Sequence, residues 1–269
     1  SYEINPSKGD GSLFLLNPDN GFKKVLDRGS RAQLSPNSDY LAATIKVQSD
    51  TVRKQKFDKV KKDKLSKDSL AIWVFNTNTI TKIPKIKSFK LASEESSWMA
   101  YLLTQETSNK KEEKSEGEEG EKEEEADKAK KPKVKKSEGS EFVIIEPIKA
   151  LEYRFEEVTE YLISKKGNKI AFIATKNDSL EKTEVSVFDT KKQETKVIFE
   201  GYGISKKMSF DEAGDQLVFM YSSDTAKTKI YEVMYWDVKA DQANTLISAN
   251  TEGMPEDWSP KCSWKHKLL

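Results

Sequence analysis

Two pairs of adjacent carboxylates, Glu94-Glu95 and Glu156-Glu157, and one thiol–imidazole pair, Cys262 and His266, are the residues whose types and spacing suit chemistry in this chain. Adjacent carboxylates can clamp a substrate ammonium group through charge-assisted hydrogen bonds. Glu94-Glu95 lies in a turn signal and Glu156-Glu157 at a strand end, so both also read as ordinary solvated turn residues, which is the reading adopted. Cys262 and His266 stand four apart with Trp264 between them. A metal pair there would need further soft ligands, and these are the only cysteine and the only histidine of the chain. Zinc sites and Ser-His-Asp triads need more of those residues than are present. No Gly-x-Ser-x-Gly nucleophile elbow and no Gly-rich phosphate loop occurs. The reading is therefore of a non-catalytic chain with no catalytic, cofactor-binding or metal residues, no cofactor, and substrate-binding residues that the sequence leaves unassigned.

The elements that would carry any site repeat. A turn phrase followed at once by an alternating apolar strand occurs four times: Ser35–Asp39 before Tyr40–Ile45, Ser93–Ser97 before Trp98–Leu103, Ser164–Asn168 before Lys169–Ile173, and Ser209–Asp215 before Gln216–Met220. A second strand follows each (Leu70–Phe75, Phe142–Ile145, Val185–Phe188, Ile230–Trp236), then a third (Ile80–Ile83, Tyr153–Phe155, Thr195–Phe199, Thr245–Ile247). A fourth precedes each turn phrase. Short strands bounded by Asn, Asp, Gly and Ser describe an all-β chain, and four strands per unit describe a β-propeller blade. With two polar insertions removed, the period falls near about 40–45 residues, a propeller repeat. The alternative is a sandwich or barrel of irregular hairpins, which has no reason to repeat a four-strand phrase. The expected fold is a partial β-propeller of four-stranded antiparallel blades over 31–83, 84–158, 159–199 and 200–249, with partial blades over 1–30 and 250–269. Trp73, Trp98, Trp236 and Trp258 lie in or beside strands and are expected to pack between blades. Because the opening segment supplies only three strands and the repeat is lost after Pro260, the chain reads as a piece of a longer protein.

The 269 residues carry 46 Lys and Arg against 45 Asp and Glu, a net charge of +1 with no global pull toward nucleic acid or an anionic membrane. No apolar run reaches membrane-spanning length. The one cysteine excludes an intrachain disulfide and places the chain in no compartment. The first insertion, 48–68, holds Arg53, Lys54, Lys56, Lys59, Lys61, Lys62, Lys64 and Lys67, with Phe57 and Val60 spaced for a short helical turn. It is read as a solvated hairpin extension rather than a patch for an anionic partner, since only Phe57 is available for base stacking. The second, 105–140, is acidic from Glu112 to Asp127 and basic from Lys128 to Lys136. Such a composition buries too little to offset its ordering entropy, so disorder is expected there, as a tolerated loop or a regulatory docking segment.

The phrases LSPNSDYLAATIK, KDSLAIWVFNTNTITKIPKIKSFKL, SWMAYLL and GMPEDWSP resemble the N-terminal propeller of prolyl-oligopeptidase-family serine peptidases, above all the large bacterial members. The order of the two insertions and the IPKIKSFKL stretch are the more specific part, and the resemblance extends nearly to Pro260. It implies a propeller that covers the mouth of a C-terminal α/β-hydrolase domain and admits small peptides. It implies as partners that domain and peptide substrates, and the charge balance and the lack of a long apolar run add the expectation of no nucleic acid and no membrane span. It also implies export, for instance to the periplasm. The triad would lie in the hydrolase domain, so no catalytic residue carries over, and neither Glu pair falls in a segment matching the family's amine-holding one. The second reading, of another class, is a stand-alone propeller scaffold for protein–protein interaction.

Overall fold

A computed structural model describes residues 1–16, 21, 23–61, 64–105, 139–177, 181–226, 228–255 and 260. Most of the charged insertion, Lys62, Trp258, Cys262, Trp264, His266 and most of the expected last partial blade lie outside the described residues.

The described residues form antiparallel sheets and one helix. The first blade has three strands, β1 (Tyr2–Ile4), β2 (Ser12–Leu16) and β3 (Lys23–Asp27). The second has four: β4 (Gly29–Leu34), β5 (Tyr40–Ile45), β6 (Ser69–Val74) and β7 (Thr79–Ile83). The third and fourth form a single sheet of seven strands. Its members are β8 (Ile86–Leu91), β9 (Met99–Leu103), β10 (Ser140–Glu146), β11 (Leu151–Ile163), β12 (Lys169–Asn177), β13 (Glu181–Asp189) and β14 (Glu194–Tyr202). The fifth is β15 (Ile204–Phe210), β16 (Gln216–Ser222), β17 (Glu232–Asp237) and β18 (Asn244–Ile247).

The seven-stranded sheet arises because one strand serves two blades. The stretch 151–158 of β11 pairs with β10 as the outer strand of the third blade, and 158–163 pairs with β12 as the inner strand of the fourth. The sequence reads these as separate strands, Tyr153–Phe155 and Tyr161–Ile163. They are joined through Glu157, whose φ of 57° bends the chain without ending it. Arg28 (φ 60°) and Lys85 (φ 58°) stand at the corresponding crossings into the second and third blades, each six residues before the end of an inner strand. The crossing into the fifth blade uses Gly203 at φ 137°, where an added Cβ would lie 2.1 Å from the Ser222 carbonyl. Left-handed backbone at non-glycine residues is uncommon, and nothing in the types Arg, Lys and Glu announces it.

The blades stack face to face, and the core lies between them. The first and second enclose Leu13, Leu41 and Ala43. The second and third enclose Tyr40, Ile72, Met99, Tyr101 and Val143. The third and fourth enclose Trp98, Phe142, Tyr161, Phe172 and Phe188. The fourth and fifth enclose Ile173, Val187, Phe219 and Trp236. The architecture is that of a partial β-propeller, with four blades of four strands preceded by one of three among the described residues. Strands sandwiched between neighbours are buried on both faces, as β5 is along its whole length, whereas the outer strand β7 has no fully buried residue. The alternation expected of the middle strands is therefore not what their burial shows, because a strand covered on both faces buries successive residues. Alanines (Ala42, Ala43, Ala71, Ala100, Ala171) are fully or almost fully buried there and let adjacent sheets approach. Trp98 and Trp236 pack between blades as expected. Trp73 meets Phe75 edge-on and lies under Lys24 of the first blade.

The basic insertion contains α1 (Ser49–Phe57), a helix placed before Val60 rather than a turn joining Phe57 to it. None of its residues is buried, and Phe57 is 85% exposed. Its first turn is capped from outside, by Asp10 of the first blade, whose carboxylate accepts from the Ser49 N–H at 2.7 Å and the Ser49 hydroxyl at 2.5 Å. Asp50 in the first turn and Lys54 and Lys56 in the last suit the helix dipole.

Candidate functional site

The turn phrases that the sequence repeats acquire a physical reason. In each of three blades an oxygen-bearing side chain opens the turn and accepts the backbone N–H groups that close it. Ser35 Oγ accepts from Asp39 and Tyr40 at 2.9 and 3.1 Å, Ser164 Oγ from Lys169 at 3.1 Å, and Asp211 Oδ1 from Asp215 and Gln216 at 2.8 and 3.0 Å. Burial pushes the Asp211 carboxyl up, but the N–H groups of Gln216, Asp215, Gly214 and Ala213 outweigh it and hold the group below the usual carboxylate range. The third blade departs from the pattern: its longer turn uses Ser96 Oγ, which accepts from Trp98 N–H at 3.2 Å.

These turns follow the inner strands and share one rim, where they are tied to one another. The Ser93 and Glu94 N–H groups donate to the Lys165 carbonyl at 3.0 and 2.9 Å. Asn168 Nδ2 donates to the Ala213 carbonyl at 3.0 Å. Lys165 Nζ lies 3.1 Å from Glu94 and 2.8 Å from Glu212, so the turns of three successive blades are joined through one ammonium. The Glu212 and Glu94 carboxylates hold the Lys165 pKa up. Exposed pairs of this kind contribute little stability; their effect is to set the relative position of the turns.

The inner strands are likewise joined across blades. Glu160 accepts from the N–H groups of Lys207 and Met208 at 3.1 and 3.2 Å, and Glu3 from the N–H of Arg31 at 2.7 Å. Arg31 (φ 52°) and Lys207 (φ 59°) sit where the register of their inner strands shifts, so a neighbouring blade's carboxylate satisfies N–H groups that the bulge frees. Lys90 Nζ donates to the Tyr161 carbonyl at 2.8 Å and lies over the Tyr161 ring; burial lowers its pKa while Glu160 opposes the shift. Nothing at the level of sequence distinguishes Glu3 or Glu160 from other surface glutamates.

The two Glu pairs do not converge. Glu94 is already paired with Lys165 on the turn rim, and Glu95 is exposed at φ 56°. Glu156 and Glu157 are exposed at the kink of β11, before its inner segment, whereas Lys165 follows that segment. The pairs therefore lie toward opposite ends of the inner strands. Among the described residues no group of three or more His, Cys, Asp or Glu is placed to hold a metal ion, and no helix is long and apolar enough to cross a membrane. Cys262 and His266 lie outside those residues.

No family model matches the sequence, and no curated protein matches it. Solved structures similar in fold include three peptidase structures. The β-propeller domain of the Trilobed protease from Pyrococcus furiosus is 12% identical with a TM-score of 0.43, over 88% of this chain and 64% of that one. The Pyrococcus horikoshii acylaminoacyl peptidase is 11% identical with a TM-score of 0.42, over 88% and 34%. The tricorn protease is 9% identical with a TM-score of 0.44, over 85% and 20%. The chain thus spans under two thirds of the length of each.

Proposed function

We propose that this arc of blades is the non-catalytic, substrate-gating propeller of a prolyl-oligopeptidase-type serine peptidase, set against an α/β-hydrolase domain and restricting it to small peptides. The observation that carries the reading is the turn rim. Three successive turns are held to one another by backbone and side-chain bonds, so the rim offers a continuous polar surface on which a second domain can rest. The sequence phrases and the order of the two insertions point the same way. One observation favours the second reading, an interaction scaffold: the first blade exposes Tyr2, Ile4, Leu16 and Val25, with Tyr2 stacked on Phe14 at 5.1 Å. An apolar sheet face of this kind suits association with another protein surface.

Both readings are tested on the full natural reading frame that contains this chain. Purified protein is offered a short chromogenic prolyl peptide and denatured casein. Gating requires turnover of the peptide with casein spared. Equal turnover of both would sink the gating role, and a natural protein with no nucleophile elbow and no turnover would leave the scaffold.

A further inference from the structure

The second and third blades do not close on each other along their whole length. They leave a crevice of about 810 Å³ with two unlike walls. The wall from the second blade is Ile72, Val74, Thr81 and Ile83. The wall from the third carries Tyr101, Glu141, Glu152 and Arg154. These four share one face of the sheet: Val143 pairs with both Tyr101 and Arg154, Ile145 pairs with Glu152, and alternation along β10 adds Glu141.

Arg154 joins the two carboxylates, with Nη1 on Glu141 Oε1 and Nε on Glu152 Oε1. One guanidinium between two carboxylates leaves this group with one negative charge, and the Oε2 atoms of Glu141 and Glu152, whose side chains are 41% and 43% exposed, take no hydrogen bond among the described residues. Tyr101 is 2% exposed and lines the crevice, and its hydroxyl, which makes no hydrogen bond among the described residues and is not one of their fully buried unpaired atoms, opens into the crevice. Burial and the Glu152 charge push this phenol up to about 12, so it stays neutral and can both donate and accept. The other charged lining groups do not compete for the same place. Glu146 is engaged by Ser97 Oγ at 2.5 Å and Lys149 N–H at 2.7 Å. Lys82 alternates onto the opposite face of β7 from Thr81 and Ile83. Lys85 has a contact of its own.

We propose that this crevice is a binding site for a small primary amine on an apolar body. A primary ammonium offers three N–H donors. The free oxygens of Glu141 and Glu152 and the Tyr101 hydroxyl offer three acceptors beside an excess negative charge. The apolar body lies against Ile72, Val74 and Ile83. A volume of about 300–1,000 Å³ with apolar walls and a few convergent polar groups is the usual form of a small-molecule site.

The test is calorimetric titration of the chain with phenethylamine, with phenylacetate and N,N,N-trimethylphenethylammonium as comparison probes, and with each variant's fold checked by its melting curve. Phenethylamine is expected to bind saturably and one-to-one. The trimethylated probe, which keeps the charge but has no N–H donor, is expected to bind about tenfold or more weaker. Phenylacetate is expected not to bind. Tyr101→Phe should weaken phenethylamine about fivefold and Glu152→Gln about tenfold. Val74→Phe, which narrows the crevice at its apolar wall, should weaken phenethylamine about fivefold or more in a folded protein. No saturation by about 10 mM phenethylamine, competition by phenylacetate, or native affinity in folded Tyr101→Phe and Glu152→Gln would each overturn the proposal.

Discussion

The junction between the third and fourth blades and the junction between the second and third are built on the same plan and differ in what fills them. At the first, rings from both blades interlock: Phe155 on Phe172 at 4.5 Å, Tyr153 on Phe188 and Phe142 on Tyr161 at 4.8 Å, Trp98 on Phe188 at 5.5 Å. The two sheets are also one sheet, continuous through β11. At the second, the inner half is packed by Tyr40, Met99 and Tyr101, but no aromatic ring from the second blade stands beside Ile72, Val74, Thr81 and Ile83 in the crevice lining, and a crevice remains. Blades diverge outward, so the outer part of a junction closes only if large side chains stand there. Side-chain volume at a few outer positions thus decides whether a blade boundary is core or cavity.

The largest expected effect comes from breaking the filled junction. Phe142 is fully buried and touches three rings, so Phe142→Ala should cost about 3–5 kcal/mol, read as a shifted denaturant midpoint. A cost under about 1 kcal/mol would mean the two blades are held by the continuous strand alone.

The second prediction adds volume at both junctions. Ala100→Phe should overpack the third–fourth junction and cost about 1–3 kcal/mol, whereas Val74→Phe has the crevice to enter and should stay within about 1.5 kcal/mol of the parent. Equal costs in thermal melts would remove the distinction drawn between the junctions.

Two tyrosines sharpen the contrast on a smaller scale. Tyr161 shares a hydrogen bond of 3.1 Å with Ser88, while the fully buried Tyr40 hydroxyl has no partner among the described residues. Tyr161→Phe should therefore lose about 1 kcal/mol and Tyr40→Phe should lose nothing or gain stability. Matching losses in the two variants would count against this account.

The smallest effect is acid-dependent and belongs to the turn rim. The folded Asp211 carboxyl lies below its unfolded value of about 3.9. Its contribution is therefore complete above that pH and is lost as pH falls through the lower folded value. Asp211→Ser, which keeps an acceptor as at Ser35 and Ser164, should show less loss of melting temperature below about pH 4 than the parent. Parallel acid profiles would show that this turn is not what the acid titrates.

The sequence by itself determined the class of fold, the number of strands in each blade and the places where inner strands turn, because these rest on local signals. A side-chain oxygen that can close a turn on its own backbone is read from Ser35, Ser164 and Asp211 without knowing any neighbour, and apolar runs such as Tyr40–Ile45 declare strands, although their burial on both faces came only from the stacking of blades. It did not contain the joining of two blades through Glu157, since a left-handed glutamate carries no compositional mark. It passed over Glu3 and Glu160, which act through backbone N–H groups 28 and 47 residues away. Glu94-Glu95 and Glu156-Glu157, which the sequence reads as solvated turn residues, are adjacent in the chain and stand out to the eye, whereas Glu141, Glu152, Arg154 and Tyr101 are scattered along three strands and line one wall. Only the register of β9, β10 and β11, and the outward divergence of two blades, brings them to a common cavity, because proximity across a sheet is set by pairing and stacking and not by distance along the chain.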